Sequence, residues 1–209
     1  MKFRNREDAA LQLAEKLRQF ESSQAVVLGI PRGGVPMAFH LAEELHLDMD
    51  VVLAKKLGHP DNPELAIGAI SREGVNVSEK YHVSQAYLDS EIERVRDELK
   101  RRRQLFTGDA GRIDISGRHA ILTDDGIATG KTMLATVELL KKAGAAAISI
   151  AVPVSSPQAE ARLTREVDEF VCLLSPADFR AVGQFYENYE QLSDESVKSY
   201  LQDRKGVGS

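Results

Sequence analysis

The chemistry of this chain is concentrated in one stretch, Ile121-Leu122-Thr123-Asp124-Asp125-Gly126-Ile127-Ala128-Thr129-Gly130-Lys131-Thr132. Asp124 and Asp125 are adjacent carboxylates that can accept hydrogen bonds from vicinal hydroxyls. The segment Ala128-Thr129-Gly130-Lys131-Thr132 then runs into a helical pattern. A helix opening there would aim unpaired N–H groups and a positive dipole end at an anion such as phosphate. Gly130 permits close backbone approach, and the Thr129 and Thr132 hydroxyls add donors. Hydroxyl acceptors beside a phosphate cradle describe a site for a phosphorylated ribose. The Gly-Lys-Thr run also suggests a Walker A loop. That pattern needs four residues between its glycines, whereas only Ile127, Ala128 and Thr129 separate Gly126 from Gly130.

Other candidates are weaker alone. Pro31-Arg32-Gly33-Gly34 ends a strand and opens a helix, so it is a second anion-binding turn. Lys55-Lys56 follows the next apolar run and by itself reads as a solvated strand end. The run Lys100-Arg101-Arg102-Arg103 reads as a solvated helix face, with contact to a phosphate or to a partner subunit's site as the alternative. Cys172 lies in the apolar run Phe170–Leu174 and reads as a buried small hydrophobe. As the single cysteine it forms no intrachain disulfide. The five histidines are scattered, and no His/Cys/Asp cluster suggests a structural metal.

The elements that must position these residues alternate along the chain. Apolar spacing predicts a helix over Arg6–Phe20, a buried strand over Ala25–Ile30, a helix over Val35–Leu47 and a strand over Met49–Ala54. A β-hairpin is expected over Glu64–Val77, turning at Ser71–Gly74. A long charged helix is expected over Ser84–Phe106, ended by Gly108-Asp109-Ala110-Gly111. A second β-loop-α-β unit follows: a strand from Ala120, a helix over Thr132–Ala143 with Gly144 at its C-cap, and a strand over Ala147–Val152. Ser156-Pro157 starts a further helix, Phe170–Leu174 is a strand, and Ser193–Leu201 is a closing helix. This alternation predicts an α/β fold built on a doubly wound parallel sheet, in which ligands bind beyond the carboxyl ends of the strands. The 209 residues are read as a single domain (1–209), with a helical arm or lid at 81–118 and a C-terminal hood at 175–209.

Composition sets the outer limits. Hydrophobic residues make up 43% of the chain, enough for a continuous core. Lys and Arg total 27 against 32 acids, a net charge of −5, so the broad basic footprint of a nucleic-acid-binding protein is missing. No apolar run approaches the roughly 20 residues of a membrane span. The N-terminus lacks a signal-peptide apolar region, and a cytoplasmic location is the expected default.

The Asp-Asp, short linker, Thr-Gly-x-Thr order after an apolar strand resembles the PRPP (5-phosphoribosyl 1-diphosphate) motif of type I phosphoribosyltransferases. The resemblance covers roughly residues 25–155 and is similar at whole-chain level to an uncharacterised branch of that family. It implies that Asp124 and Asp125 hold the ribose 2′- and 3′-hydroxyls and that Ala128–Thr132 enclose the 5-phosphate. It implies that Arg32, the Gly33 and Gly34 amides, and Lys55 or Lys56 face pyrophosphate. It implies Mg²⁺ held mainly by PRPP, a small-molecule nitrogenous acceptor and a possible homodimer. The hood carries Pro176–Tyr186, in which Phe179 or Tyr186 either stacks on a base or packs over the core. Two positions depart from the family pattern. Ala128 stands where purine enzymes place an acid, which argues against purine salvage, and Gly126 replaces a branched residue and is expected to loosen the loop. The implied activity is phosphoribosyl transfer to an unidentified acceptor; the alternatives are a regulatory PRPP-binding protein and a phosphorolytic or hydrolytic use of the same site.

Overall fold

The computed structural model describes residues 2–71, 74–78, 81, 83–107 and 113–205. Arg72 and Glu73 of the expected hairpin turn, His82, the Gly108–Gly111 helix stop and the last residues of the hood lie outside them. In chain order the elements are α1 (Arg6–Ala14), β1 (Val26–Gly29), α2 (Gly34–Leu45), β2 (Asp48–Val51), β3 (Ala54–His59), β4 (Asn62–Ser71) and β5 (Val75–Val77). They continue with α3 (Gln85–Thr107), β6 (His119–Thr123), α4 (Lys131–Lys142), β7 (Ala147–Val154), α5 (Pro157–Leu163), β8 (Glu169–Leu174) and α6 (Asp194–Lys205).

Five parallel strands form the central sheet in the order β2-β1-β6-β7-β8. From β1 the chain first builds outward to β2, then returns to place β6 on the other side of β1. The strand order therefore reverses between β1 and β6, which opens a crevice beyond their carboxyl ends. Strand periodicity divides the core between the two faces. Val27 of β1 and Ile121 of β6 join the cluster under α1 and α2, whereas Val26, Leu28, Ala120 and Leu122 join the one under α4 and α5. This is the doubly wound sheet expected from the alternation of elements.

Three local expectations are corrected. The apolar run Met49–Ala54 is not one strand: β2 ends at Val51, and Ala54 begins β3, which pairs antiparallel with β4. With β5 this makes a three-stranded sheet rather than a two-stranded hairpin. β3 carries a single large aliphatic residue, Leu57, and a register shift at Leu57/Gly58, so it has no alternating pattern to announce it. The first helix stops at Ala14, and a single 3₁₀ turn covers Arg18–Phe20.

The arm helix α3 is docked. It buries Val95, Leu99 and Phe106 in the same core cluster as Val197 and Leu201 of α6, while Leu105 stays 48% exposed. Arg103 forms a largely buried pair with Asp50 at 3.0 Å. Helix ends follow local chemistry: the Ser156 hydroxyl accepts from Ala159 N–H ahead of Pro157, and Gly144 takes φ +83° just beyond α4.

Candidate active site

At the end of β6 the Thr123 hydroxyl donates to the Ala151 carbonyl at 2.7 Å, fixing the strand just before the acids. Asp125 N–H then donates to Asp124 Oδ1 at 2.8 Å. The two carboxylates have different surroundings. Asp125 Oδ2 accepts from Arg6 Nε at 2.9 Å and from the Tyr189 hydroxyl at 3.0 Å, and Arg6 Nη2 forms an ion pair with it at 2.8 Å. The Asp125 carbonyl accepts from the Tyr186 hydroxyl at 2.7 Å. Burial, then the neighbouring Asp125 charge, holds the Asp124 carboxyl well above the usual carboxylate range. The two carboxylates are therefore unequal, and Asp124 gives up its proton less readily than a free carboxyl. Burial and the Asp125 charge also push the Tyr189 phenol up to about 12, and the buried Tyr186 phenol rises in the same direction, so both remain donors.

The loop after the acids leads directly to the helix opening. Ile127 N–H donates to the Val154 carbonyl and its own carbonyl accepts from Ser156 N–H, both at 2.9 Å. The Ser156 hydroxyl reaches the Ala128 carbonyl at 2.6 Å. Gly130 turns the chain with φ +68°, a left-handed conformation that a side chain would strain. No side chain caps α4, while Ala128, Thr129, Lys131 and Thr132 are exposed. The first N–H groups of a 12-residue helix thus face outward where an anion can take them. Gly126 does not loosen this loop, contrary to expectation. A Cβ there would meet Val182 at 2.7 Å and Val154 at 2.9 Å, so the hood fills the space of the missing side chain.

The Pro31–Gly34 turn lies against the acids, and its Pro31–Arg32 peptide is cis. A Cβ on Gly33 would fall 2.2 Å from Asp125 Oδ2, and one on Gly34 would fall 2.5 Å from the Thr123 carbonyl. Only glycines allow the two turns to touch. Between them opens a cleft of about 500 Å³, lined by Arg6, Arg32, Asp124, Asp125, Tyr189 and Gln191 among others. One strand end with two acids and one glycine turn therefore meet at the sheet's switch point, and the open helix start follows the acids within one short loop.

The model of the phosphoribosyl transferase domain matches residues 3–190. The chain belongs to the phosphoribosyl transferase domain family. A Mycobacterium tuberculosis protein provisionally named a phosphoribosyl transferase is 43% identical over 204 residues, which cover 95% of this chain and 46% of that protein. The chain thus spans about half the length of the curated relatives it matches. The crystal structure of TT1426 from Thermus thermophilus superposes with a TM-score of 0.87 at 38% identity, covering 97% of this chain and 99% of that one. A purine phosphoribosyltransferase from Pyrococcus horikoshii shares the fold at TM-score 0.50 and 18% identity, covering 90% and 92% of the two chains.

Within this phosphoribosyltransferase fold, the structure brings Asp124, Asp125, Arg32, Gly33 and Gly34 together, with the Ala128–Thr132 loop following the acids in the chain. It does not bring Lys55: that lysine lies on β3, and its ammonium binds Glu98 of the arm. Lys56 is exposed on the same strand. Tyr186 does not stand ready to stack on a base. It is 3% exposed beneath the acids, packed on Phe3 and Tyr189, with its hydroxyl spent on Asp125. Phe179 is half-buried and stacks on Phe185. Arg32 reaches the cleft but is held by Asp194 and by the Leu192 carbonyl, both at 3.0 Å. The sequence reading missed Arg6 and Tyr189. Arg6 lies 119 residues from Asp125, and no local pattern marks it. Tyr189 lies three residues past Tyr186, so the aromatic run of the tail was a usable signal.

Proposed function

We propose that this protein transfers the 5-phosphoribosyl group of PRPP to a nitrogenous small-molecule acceptor and releases pyrophosphate. The supporting observation is the meeting, in one cleft, of the unequal acid pair and the Pro31–Gly34 turn, with the uncapped start of α4 one short loop beyond the acids. In this reading the N–H groups and hydroxyls of Thr129–Thr132 take the 5-phosphate, and Asp124 and Asp125 take the ribose hydroxyls. Arg32 and the amides of Gly33 and Gly34 take the pyrophosphate.

The anomeric C–O bond breaks and its electron pair leaves with pyrophosphate. The acceptor nitrogen supplies the pair that forms the new C–N bond. Positive charge grows on the sugar ring between these events, and the acid pair offsets it. The acceptor proton passes to water, because the Ala128 methyl group can take none. Tyr189, 41% exposed, and the Gln191 amide line the same cleft and suit a flat heterocycle with hydrogen-bonding edges.

Among the described residues no group of three or more His, Cys, Asp or Glu gathers into a metal site. With Asp125 Oδ2 already taken, the donor set fits Mg²⁺ that arrives on PRPP oxygens and keeps its waters, with Asp124 or Asp125 at its edge. When bound, the ion neutralises charge on the departing pyrophosphate. The test is an acceptor screen that follows pyrophosphate release from PRPP with Mg²⁺, with Asp124→Asn/Asp125→Asn as control. Release with at least one acceptor, abolished in the control, is the expected result. Failure of the wild type to bind PRPP overturns the assignment.

A further inference from the structure

Arg6 has no counterpart among the groups assigned above, yet its side chain is only 11% exposed and faces Asp125, itself 9% exposed. Two of its nitrogens bind one carboxylate oxygen, Oδ2, and the third, Nη1, donates to the Glu190 carbonyl at 3.0 Å. Its guanidinium lies 4.3 Å from the centre of the Tyr189 ring, and the Tyr189 hydroxyl ends on that same Oδ2. The Asp124 carboxyl lies beside this carboxylate, and no hydrogen bond from any other described residue reaches its second oxygen, Oδ1. Gly33 closes one side of the carboxylate, and Tyr186 fixes the backbone behind it. An arginine fork is planar and always charged, so a carboxylate held in it cannot rotate freely.

We propose that Arg6 is a positioning residue of the sugar site: by saturating Oδ2 of Asp125 it presents Oδ1 as the acceptor for a ribose hydroxyl. This rests on the phosphoribosyl reading above. It adds a part contributed by the first helix and coupled to the tail. Phe3 N–H donates to the Phe185 carbonyl, Glu187 N–H to the Phe3 carbonyl and Asn188 N–H to the Arg4 carbonyl, at 2.8, 2.8 and 3.0 Å. These bonds lay the N-terminal segment beside the hood. Arg6 enters the cleft from one partner of that pairing and Tyr189 from the other. The sugar site is therefore assembled from three distant parts of the chain, joined at a single oxygen atom.

A staple that merely held the termini together would share this geometry, so the test must separate the two. Ribose 5-phosphate is titrated calorimetrically into the full chain as wild type, Arg6→Gln, Arg6→Lys, Asp125→Asn and Arg6→Gln/Asp125→Asn. The wild type binds. Arg6→Gln weakens binding about 10- to 100-fold, the range of a lost charge-assisted hydrogen bond. Arg6→Lys, which keeps the charge but loses the fork, falls between them. In the Asp125→Asn background Arg6→Gln changes affinity by less than about twofold, because Arg6 acts through that carboxylate. If Arg6→Gln does not fold, Tyr189→Phe removes one donor from Oδ2 without removing a charge. It weakens binding about 3- to 10-fold, again only when Asp125 is present. Wild-type affinity in Arg6→Gln, or an equal loss in both backgrounds, overturns the proposal while leaving the phosphoribosyl reading intact. A wild type that does not bind ribose 5-phosphate removes both.

Discussion

Replacing Gly33 by alanine adds one methyl group at the point where the two turns of the site meet. The backbone there has φ −59° and ψ −35°, which alanine adopts freely, so the substitution tests space alone. The new Cβ would lie 2.2 Å from Asp125 Oδ2, 2.3 Å from Cγ and 2.6 Å from Oδ1. Ordinary contact is roughly 3.5 Å, so one side must retreat by about 1 Å. The carboxylate cannot easily do so, because Arg6 and Tyr189 hold Oδ2 and Tyr186 holds the main chain. Overpacking of this kind costs about 1–3 kcal/mol. For a chain of this size that corresponds to a fall in Tm of roughly 3–9 °C. The functional cost is larger, since a catalytic group displaced by about 1 Å can lose about 100-fold in rate. Calorimetric melting and a ribose 5-phosphate titration measure the two effects. Gly33→Ala with wild-type Tm and wild-type affinity would refute the claim that Gly33 lets the turn close onto a fixed carboxylate.

Gly130→Ala forces a side chain into φ +68° and brings Cβ to 3.1 Å from Leu163 Cδ1. The left-handed strain alone is worth about 1–2 kcal/mol, so Tm should fall by roughly 2–6 °C, with weaker phosphate binding measured by titration. Asp124 binds a proton more tightly in the folded chain than in the unfolded one, so its stabilising contribution is full below about pH 4 and is lost as pH rises through the raised value. Asp124→Asn cannot ionise; its Tm should therefore gain on the wild type as pH goes from about 4 to 8, and a difference that stays flat would contradict the buried-acid reading. Asp194→Asn releases Arg32 from a partly exposed pair worth at most about 1 kcal/mol, so pyrophosphate affinity should rise by up to about fivefold in a direct titration. A loss of affinity would mean that Asp194 positions Arg32 rather than restraining it.

What could be read in advance depended on how local the physics was. The strand before Asp124, the glycine at position 130 and the helix from Lys131 are neighbours in the chain, so residue type and spacing describe the phosphate cradle without a fold. The alternation of apolar strands with amphipathic helices likewise points to a parallel sheet, because each βαβ unit buries its faces in the same way. The strand β3 escaped that reading because Lys55-Lys56-Leu57-Gly58 has no alternating face. Its pairing with β4 supplies what its side chains do not. The role of Tyr186 was undecidable from sequence for a related reason: an aromatic residue in a polar tail serves equally well as a platform or as a plug, and only its 3% exposure and its bond to Asp125 distinguish them.

The amino-acid sequence alone determined the class of fold, the pair of acids and the glycine-bearing turn into the next helix, since each is a property of consecutive residues. Tertiary structure alone decided that the two acids are unequal, that Arg32 is held by the tail and that Lys55 serves the arm. It also brought a residue of the first helix onto Asp125. Hydrogen bonding and desolvation act over a few ångströms of space, and the chain brings Arg6, Gly33, Asp125 and Tyr189 to that range only after it has folded.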